Sequence, residues 1–579
     1  MLILGIFSLF VSLLYYYMPK YYFSSCNMLQ FLLDNYCYSD SSNSIFFNTK
    51  NVDSSLWCHE EIGGNKVCEF QYLCFVPNNE NHIVFMYTDK SSIFGLKSKE
   101  ELKNISLSSV LNHNGVLLKL SICNSYEHSL DNFINLRHNV LLLWRFKSDN
   151  IMHVIHDDLI PIFTTYKELC KGNVKECVQK YQLVFVDGED PGPHYDWYKL
   201  FSYSDPLFLN EELNQTICFK KGRVGLSTRS VWYQYGFNRF HGPTHSYMNG
   251  KLLQEFTEFI LDGFKIYRNN YNLNESIGIF FNRKLNRKII NENYIIDEVK
   301  NMYTNIFSVH HFTLYNLDLS QNDTVTILSL LVRAKFVVGM HGSAMILSMF
   351  IPQTASIVEL FPFGIQPEYV SPLRAMCDLP DVLQYYQSWV NINESNSITY
   401  PDNTHLLGGI SHLDIEMQQT IKNIKLVPPV ECCHNPLYLF RMYQDTLVDK
   451  SFSEVLEEIF LVQRSTLSDN IFTNLKNDVD RWYFPSPVTN ITCSNINENL
   501  ILSWNKPYNA GLNKIEYRLA INVGNQDMSL STFSTSVQLN LSSYEKSINI
   551  QIWIKSVFDN SESIDAYFTC IVFNNLPEL

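Results

Sequence analysis

The chain has no excess of positive charge. Its 579 residues carry 44 Lys and Arg against 58 Asp and Glu, which gives a formal net charge of −14 at pH 7. No basic run is interleaved with aromatic residues, and this absence argues against nucleic acid as a partner. A protein acceptor or a small donor molecule fits the composition better.

The cysteines lack the spacing of a zinc site. No two of the 14 cysteines are spaced as Cys-x-x-Cys, although they cluster at residues 58–74, at Cys170 and Cys177, and at Cys432 and Cys433. An even number of cysteines suits an oxidising compartment. We therefore predict disulfides rather than a metal site.

The chain ends without a convincing retrieval signal, but it begins with an apolar run. Residues 2–18 are almost wholly apolar and are followed by Pro19 and Lys20. Such a run is near the lower limit for crossing a thin bilayer such as that of the endoplasmic reticulum. A cleaved signal peptide is the alternative, but its charged start and small-residue cleavage site are both poor here. We therefore expect an uncleaved membrane anchor over residues 1–20.

The orientation of this anchor is not decided by its flanking charge, because Lys20 lies on the distal side. Lumenal placement rests on the cysteines and on Asn-x-Ser/Thr sequons, which begin at Asn104, Asn214, Asn274, Asn322, Asn393, Asn490 and Asn540. These features predict a single-pass type II protein of the endoplasmic reticulum membrane, with the rest of the chain in the lumen.

The remaining chain is predicted to be α/β with a β-sandwich at its end. Apolar residues make up 46% of the chain and aromatic residues 14%, which is enough for sizeable cores. Strand and helix patterns alternate from about residue 138 and again from residue 277, and this tandem predicts two doubly wound, Rossmann-like domains facing a cleft. The expected units are residues 21–265, residues 266–435, crossover helices and a linker at 436–483, and the sandwich at 484–579.

The last unit has a hydrophobic period of two and resembles a fibronectin type III domain. Trp504 and Tyr517 are expected in its core. Cys493 and Cys570 lie near its two ends, where a disulfide can bridge them.

Residues 335–361 have the pattern of a nucleotide site. One apolar run ends at His341, Gly342 and Ser343, and the next apolar run carries Glu359. A parallel strand that ends in a small-residue turn and opens a helix offers free backbone N–H groups to a diphosphate. Glu359, at the end of the following strand, is placed to accept hydrogen bonds from ribose hydroxyls. The alternative is an ordinary strand, turn and helix with a buried His and an edge Glu.

A cluster of imidazoles and carboxylates lies in residues 150–161. On a helix, His153, His156 and Asp157 share one face, just after a predicted strand. Such a cluster can abstract a proton from a hydroxyl, and a carboxylate beside a histidine fixes its tautomer and raises its basicity. The alternatives are helix-capping aspartates with structural histidines, and a His/Asp metal site.

Two further segments are candidates for binding. A loop with Arg283 and Arg287 follows the first strand of the nucleotide half, and a guanidinium can clamp a diphosphate and offset its charge. Residues 231–237 are dense in aromatic side chains, among them Trp232 and Tyr235. Aromatic faces with polar handles suit sugar rings, although core packing explains these two residues equally well.

Six short motifs in one order carry a family resemblance. They are Met-His-Val-Ile-His-Asp-Asp-Leu at 152–159, Trp-Tyr-Gln-Tyr-Gly-Phe at 232–237, Met-His-Gly at 340–342, Val-Glu-Leu-Phe-Pro at 358–362, Gly-Gly-Ile-Ser-His-Leu-Asp at 408–414 and Cys-Cys-His-Asn-Pro at 432–436. With this domain layout, the chain resembles glycosyltransferase family 61 from about residue 50 to its end.

The resemblance implies a GT-B fold and a reaction. The implied activity is transfer of N-acetylglucosamine from UDP-GlcNAc to the 4-hydroxyl of O-linked mannose on a protein, with α-dystroglycan as the acceptor known for the family. Inverting transfer needs a base for the acceptor hydroxyl and positive groups for the departing diphosphate. The fibronectin-like unit is expected to help hold the acceptor polypeptide.

The expected roles can be assigned to residues. The base is placed in the cluster of His153, His156, Asp157 and Asp158, with Asp158 or His156 preferred. The acceptor is expected at Trp232 and Tyr235. UDP is expected at Arg283, Arg287, His341, Gly342, Ser343 and Glu359.

This scheme requires no cofactor, although a divalent metal is compatible with it. The single Asp-x-Asp, at Asp478 and Asp480, lies in the helix-to-linker region and is interpreted as a solvated pair. Asp187 and Asp190 follow a strand and would matter in a GT-A fold, which the tandem α/β halves disfavour. Two other functions stay open: transfer of N-acetylglucosamine to EGF-domain Ser/Thr, and glycan binding without catalysis.

Overall fold

The computed structural model describes part of the chain. The predicted anchor at residues 1–20, Cys432 and Cys433, and Asp478 and Asp480 lie outside the described residues. In the part that is described, no helix is both long enough and apolar enough to cross a membrane. The described residues are 54–60, 66–77, 83–87, 91, 93–94, 105–110, 118, 120–124, 133–136, 138–209, 216–235, 242–244, 246–271, 275–428, 434–469, 488–496, 499–507, 514–523, 526–540, 548–558, 561–562 and 566–572.

The N-terminal part is built on a ten-stranded sheet, here called the mixed sheet. Its main path has the order β4-β1-β2-β10-β7-β8-β9. Strands β10, β7, β8 and β9 pair in parallel, whereas β2 pairs antiparallel with β1, β3 and β10. The strands are β1 (Ser55–Glu60), β2 (Lys66–Phe75), β3 (Ile83–Tyr87), β4 (Ile93–Phe94), β5 (Leu120–Asn124), β6 (Phe133–Leu136), β7 (Asn139–Leu143), β8 (Tyr181–Phe185), β9 (Leu207–Phe208) and β10 (Thr216–Val224).

Strand β7 shows how this sheet separates two cores. Side chains alternate across a strand, so Leu141 and Leu143 join one apolar core while Val140 and Leu142 join the core beneath β1 to β3. The first of these cores includes the helices that follow β7. They are Ile151–His153, a π-helix at Val154–Leu159, Ile160–Leu169, Val174–Val178, Tyr195–Lys199 and, after the β11 (Tyr233–Gln234) and β12 (Gly242–Pro243) hairpin, Gly250–Gly263.

The next part is built on a five-stranded sheet, here called the parallel sheet, in the order β14-β13-β15-β16-β17. All of its pairs are parallel. β13, β15 and β16 are buried along their whole length, as the continuous apolar runs predicted. The strands are β13 (Ile277–Phe281), β14 (Thr313–Leu317), β15 (Phe336–Met340), β16 (Ser356–Phe361) and β17 (Tyr385–Val390).

The connections of the parallel sheet are helical. The helix before β14 continues to Phe307 and ends at Ser308, which has a left-handed φ of 53°. The helix expected after Gly342 is a 3₁₀-helix. The connecting helices are Glu292–Phe307, Thr324–Leu331, the 3₁₀-helix Ser343–Phe350, Pro367–Val370 and Pro372–Cys377.

Residues 391–469 complete the second half. The short strands β18 (Ser397–Ile398) and β19 (Asp445–Thr446) pair antiparallel. The segment in which crossover helices were predicted contains the helices Pro436–Met442 and Ser451–Asp469, and a further helix lies at Ile415–Asn423. Phe460 of the long helix packs against Tyr303 and Phe336, which ties this helix to the parallel sheet.

The C-terminal part is a pair of antiparallel sheets that share one core. Trp504 and Tyr517 are buried in that core, as predicted. The predicted Cys493–Cys570 disulfide is present. The strands are β20 (Thr489–Ile496), β21 (Asn499–Asn505), β22 (Glu516–Val523), β23 (Gln526–Thr532), β24 (Ser536–Asn540), β25 (Ile548–Phe558), β26 (Ser561–Glu562) and β27 (Ala566–Val572).

Disulfides also occur in the mixed-sheet part. The bonds are Cys58–Cys68, Cys74–Cys218 and Cys170–Cys177. The prediction of disulfides at these clustered cysteines is therefore confirmed.

Candidate active site

A cavity of about 270 Å³ lies between the mixed sheet and the parallel sheet. Its mixed-sheet wall comes from the segment after β7 and from the β11 region, and its parallel-sheet wall comes from the ends of β15 and β16 and the loop after β13. Lining residues include Phe146, Lys147, Asn150, Met152, His153, Tyr233 and Tyr235 on the first wall, and Arg287, His341, Gly342, Ser343, Met345, Ile346, Glu359, Val370, Pro372, Leu373, His434 and Tyr438 on the second.

The helix on the mixed-sheet wall has an unusual course. It begins at Asn150, whose side-chain oxygen accepts the backbone N–H of Met152 at 3.1 Å, and it widens into the π-helix Val154–Leu159. Pro161 has no N–H with which to bond the carbonyl of Asp157 four residues before it. That carbonyl instead accepts the Ser109 hydroxyl at 2.5 Å. Single π-turns of this kind are frequent at functional sites.

Asp157 lies between two imidazoles. Its Oδ2 is 2.7 Å from His153 Nδ1, and its Oδ1 is 2.5 Å from His156 Nδ1. The Tyr235 hydroxyl also donates to Oδ1, at 3.2 Å. Burial alone would raise the pKa of Asp157, but the two imidazoles outweigh burial and lower that pKa well below its ordinary value of 3.8. Asp157 is therefore an ionised carboxylate that accepts a hydrogen bond from the Nδ1–H group of each imidazole.

Only one of these imidazoles faces the cavity. His156 is fully buried, and its Nε2 accepts the backbone N–H of Trp232 at 3.3 Å. The His153 side chain is 13% exposed and lines the cavity. Because the Nδ1–H group of His153 donates to Asp157, Nε2 is the ring nitrogen that can accept a proton.

Asp158 points away from the cavity. It is fully buried, and its Oδ2 accepts the Tyr198 hydroxyl at 2.6 Å, while its Oδ1 has no hydrogen bond from a described residue. Burial, with a further contribution from the charge of Asp157, raises the pKa of Asp158 well above 3.8. Its buried position and its bond to Tyr198 give Asp158 a structural role.

Asp187, the carboxylate considered for a GT-A metal, is already bonded. Arg145 clamps it in a bidentate pair, with Nη2 2.7 Å from Oδ1 and Nε 2.8 Å from Oδ2. Both side chains are inaccessible to solvent. The pair serves to close the loop after β8.

The two aromatic residues predicted to bind the acceptor have different surroundings. Trp232 is buried, and its indole N–H donates to the carbonyl of Pro372 at 2.9 Å, so it joins the two walls. Tyr235 lines the cavity, with its ring 4.8 Å from that of His153. Of the pair, only Tyr235 presents a surface to a ligand in the cavity.

On the parallel-sheet wall, Glu359 is fully engaged by its neighbours. Oε1 is 2.8 Å from His341 Nδ1, and Oε2 accepts the hydroxyls of Ser371 at 2.5 Å and Tyr386 at 2.7 Å. Glu359 is buried. It fixes the orientation of His341, which lines the cavity, rather than offering a free oxygen to a ribose.

The arginine loop, residues 283–288, carries the positive charge of this wall. Arg283 donates to the carbonyl and side-chain oxygen of Asn286 at 3.2 and 2.9 Å. Arg287 donates through Nη1 to the carbonyl of His341 at 3.0 Å and lies over the Tyr443 ring. Within the described residues, neither guanidinium has a carboxylate partner.

The two guanidinium groups converge on Gly342. A Cβ atom on Gly342 would lie 2.5 Å from Arg283 Nη1 and 3.4 Å from Arg287 Nη1. Burial and the charge of Arg287 lower the pKa of Arg283 to about 9, and burial lowers the pKa of Arg287 below 12.5. Both groups are charged at neutral pH and repel each other, so this corner of the cavity favours an anion.

Known proteins match both the central segment and most of the chain. A family profile described as Glycosyltransferase 61 matches residues 151–358. The curated protein O-linked-mannose beta-1,4-N-acetylglucosaminyltransferase 2 of Takifugu rubripes is 30% identical, over 87% of this chain and 86% of its own. Proteins of the same name from Danio rerio and Mus musculus are 29% and 28% identical, with the same coverage. The chain belongs to glycosyltransferase family 61.

Membership identifies the protein as a glycosyltransferase. The matched segment includes the His153–Asp157 pair, the arginine loop and Gly342. Among solved structures, domains d3–d4 of the rat CD45 extracellular region align with 15% of this chain at 11% identity and a TM-score of 0.14. This likeness is too weak to support an argument.

Several residues of this glycosyltransferase cavity were not anticipated from the sequence. Phe146 packs edge-on against His153, with ring centroids 4.6 Å apart, and Lys147 lies beside it. Both follow the carboxyl end of β7, where parallel sheets bind ligands, and that rule was the available signal. His434, which lies in the Cys-Cys-His-Asn-Pro motif, and Tyr438, in the helix Pro436–Met442, also line the cavity, although neither was predicted to do so.

Proposed function

We propose that this glycosyltransferase transfers N-acetylglucosamine from UDP-GlcNAc to the 4-hydroxyl of O-linked mannose on a protein acceptor, such as α-dystroglycan, with inversion at the anomeric carbon. The observation that carries the proposal is one cavity with a His–Asp pair on one wall and Arg287 on the other, with Arg283 beside Gly342 next to it. Neither arginine bonds a carboxylate of a described residue. The names of relatives that cover most of the chain support the choice of donor and acceptor.

The acceptor hydroxyl is expected to meet His153. Nε2 of His153 takes the proton of the mannose 4-hydroxyl while the oxygen forms a bond to the anomeric carbon of the donor. Asp157 keeps the imidazole in the tautomer that this step needs and stabilises the imidazolium that results. The preference for Asp158 or His156 is therefore replaced by His153, because Asp158 and His156 are fully buried and bonded elsewhere.

The donor diphosphate is expected to meet the arginine loop. As the bond between the anomeric carbon and the phosphate oxygen breaks, its electron pair leaves with UDP. Arg283 and Arg287 offset that charge, and the backbone after Gly342 lies beside them. Both guanidinium groups lie so close to Gly342 that a side chain at this position would meet them, which explains why glycine suits it.

No step of this scheme passes through a metal. Among the described residues, no group of three or more His, Cys, Asp or Glu side chains is arranged to hold an ion. A divalent cation carried in with UDP stays compatible with the scheme, and activity measured with EDTA decides the matter.

The larger setting is also part of the proposal. We take the mixed and parallel sheets as the two domains of a GT-B enzyme, at residues 21–265 and 266–435, with the crossover segment at 436–483. The two-sheet unit at 484–579 is taken as a fibronectin type III domain that helps hold the acceptor polypeptide. The anchor at residues 1–20 is taken to place the catalytic part in the lumen of the endoplasmic reticulum.

The experiment is UDP release from UDP-GlcNAc by the full chain with an O-mannosyl peptide. The same peptide without mannose, a folded EGF domain, UDP-glucose and an EDTA arm serve as comparisons. Turnover that needs both mannose and UDP-GlcNAc is the expected result. Turnover on the EGF domain alone would change the proposed acceptor from O-linked mannose to an EGF domain. Glycopeptide binding without any turnover would contradict the proposed reaction.

A further inference from the structure

Asp445 is a buried carboxylate beside the arginine loop that none of the roles above uses. It is 2% exposed. Its Oδ1 accepts the backbone N–H of Lys288 at 2.7 Å, and its Oδ2 accepts the Tyr400 hydroxyl at 2.6 Å. Nζ of Lys288 lies 3.3 Å from Oδ2. The carboxylate therefore connects the end of the arginine loop to a distant segment.

The backbone around Asp445 holds the same loop. Thr446 donates its N–H to the carbonyl of Lys288 at 2.8 Å, and Ile290 donates to the carbonyl of Thr446 at 2.9 Å. Tyr443, two residues before Asp445, lies under Arg287 with its ring centroid 5.0 Å from the guanidinium carbon. Residues 443–446 thus contact the loop through a ring, a carboxylate and one backbone bond, and a second backbone bond holds Ile290 just after the loop.

The arginine loop needs such support for two reasons. Arg287 has a left-handed φ of 52°, which is unfavourable for a residue with a Cβ atom. The Arg283 and Arg287 charges also repel each other. Burial of each charged guanidinium is unfavourable, so both side chains would gain free energy of hydration by turning toward water. A fixed Lys288 N–H limits both movements, because Lys288 directly follows Arg287.

We propose that Asp445 is a positioning residue that holds Arg287 against the donor diphosphate, with Tyr400 as its support. Tyr400 is partly exposed, and its hydrogen bond to Asp445 raises the pKa of Tyr400 to about 12. The Tyr400 hydroxyl therefore stays a donor to Asp445 over the working range of pH. This role rests on the proposed function, in which the arginine loop binds the diphosphate of a UDP-sugar.

The test compares binding of UDP and of uridine by calorimetry, using the full chain. Asp445→Asn is expected to weaken UDP binding about tenfold, the scale of one charge-assisted hydrogen bond. Tyr400→Phe, which removes only one bond to the carboxylate, is expected to weaken it about threefold. Uridine affinity is expected to stay within about twofold in both variants, because uridine has no phosphate to meet Arg287.

Two controls isolate the route through Arg287. Asp449→Asn removes a nearby carboxylate that bonds Ser451 and Asn396 rather than the arginine loop, and it is expected to leave UDP affinity unchanged. In an Arg287→Ala background, Asp445→Asn is expected to cause no further loss of UDP affinity.

The outcomes separate the two proposals. Equal losses for UDP and uridine, or an undiminished effect of Asp445→Asn in the Arg287→Ala background, would overturn the positioning role alone. Wild-type and Asp445→Asn proteins that bind UDP equally well would do the same. A wild-type protein that binds no UDP would overturn the donor assignment itself.

Discussion

On the mixed-sheet wall of the cavity, Asp157 is balanced by two imidazoles and a tyrosine hydroxyl. On the parallel-sheet wall, Arg283 and Arg287 bond only neutral oxygen atoms of described residues. The side chains of the first wall are thus already hydrogen-bonded to one another before a ligand binds. Such a fixed arrangement suits side chains that accept a proton. The second wall keeps an unbalanced positive charge that a diphosphate would neutralise. Substitutions on the two walls should therefore damage different steps.

The largest expected effect is on the mixed-sheet wall. His153→Gln removes the proposed base but keeps a side chain of similar length, and kcat is expected to fall about 10³-fold, within the usual range for general base catalysis. UDP affinity is expected to stay within about twofold, because no phosphate contact is lost. Steady-state kinetics with an O-mannosyl peptide and UDP titration measure the two quantities. A large loss of UDP affinity with kcat preserved would contradict the division of labour.

A smaller effect, on donor affinity rather than on kcat, is expected on the parallel-sheet wall. Arg287→Ala removes one charged donor to the diphosphate, which is worth about 2 kcal/mol or roughly 30-fold in donor affinity. The KM for the glycopeptide is expected to change little. The melting temperature without UDP is expected to rise or stay the same, since a repelling, desolvated charge is removed. A fall in the melting temperature without a change in UDP affinity would show that Arg287 is structural.

The smallest expected effect on turnover is at Asp158, where substitution is expected to change the stability of the protein instead. Burial raises its folded-state pKa, so above pH 4 the unfolded chain releases a proton that the folded protein keeps. The free energy of unfolding then falls with rising pH by about 1.4 kcal/mol per unit, until the folded-state pKa is reached. Asp158→Asn, which cannot titrate, is expected to be more stable than the wild type at pH 7, with the gap closing toward pH 4.

Asp157→Asn supplies the matched comparison for that pH series. The pKa of Asp157 is lowered on folding, so its stabilisation is present above pH 4 and is lost as pH falls. Asp157→Asn is expected to be less stable than the wild type at pH 7. Thermal unfolding at about pH 4.5 to 7.5 measures the difference in stability between each variant and the wild type. Over this range the Asp157→Asn gap is expected to stay constant, because its pKa is 3.8 or lower in both states, whereas the Asp158→Asn gap is expected to widen with rising pH. A constant Asp158→Asn gap or a varying Asp157→Asn gap would contradict the corresponding assignment.

Sequence reasoning selected segments that the fold brings to one cavity, but it could not rank neighbouring residues within them. His153 and Asp157 are four residues apart, so helical spacing predicted their contact. Which imidazole faces the cavity depends on the π-turn before Pro161 and on the Trp232 backbone, 76 residues from His156. The orientation of Asp158 depends on the hydroxyl of Tyr198, which lies 40 residues further along the chain and donates to Oδ2. Such long-range partners leave no local pattern in a sequence.

The same limit applies on the parallel-sheet wall. The arginine loop was predicted because it follows a buried strand, a rule that needs no knowledge of contacts. Glu359 was placed correctly at the end of β16, but its role changed because Ser371 and Tyr386 occupy its oxygen atoms. No role was predicted for Asp445, since a single aspartate on a two-residue strand has no motif around it.

The most direct test of the account is UDP release by Asp157→Asn and Asp158→Asn at saturating UDP-GlcNAc and O-mannosyl peptide. The two substitutions are chemically identical and lie at adjacent positions. The account predicts that Asp157→Asn loses about 10²-fold or more in kcat while Asp158→Asn stays within about threefold of the wild type. The reverse order would contradict the assignment of His153 and Asp157 as the proton-accepting pair.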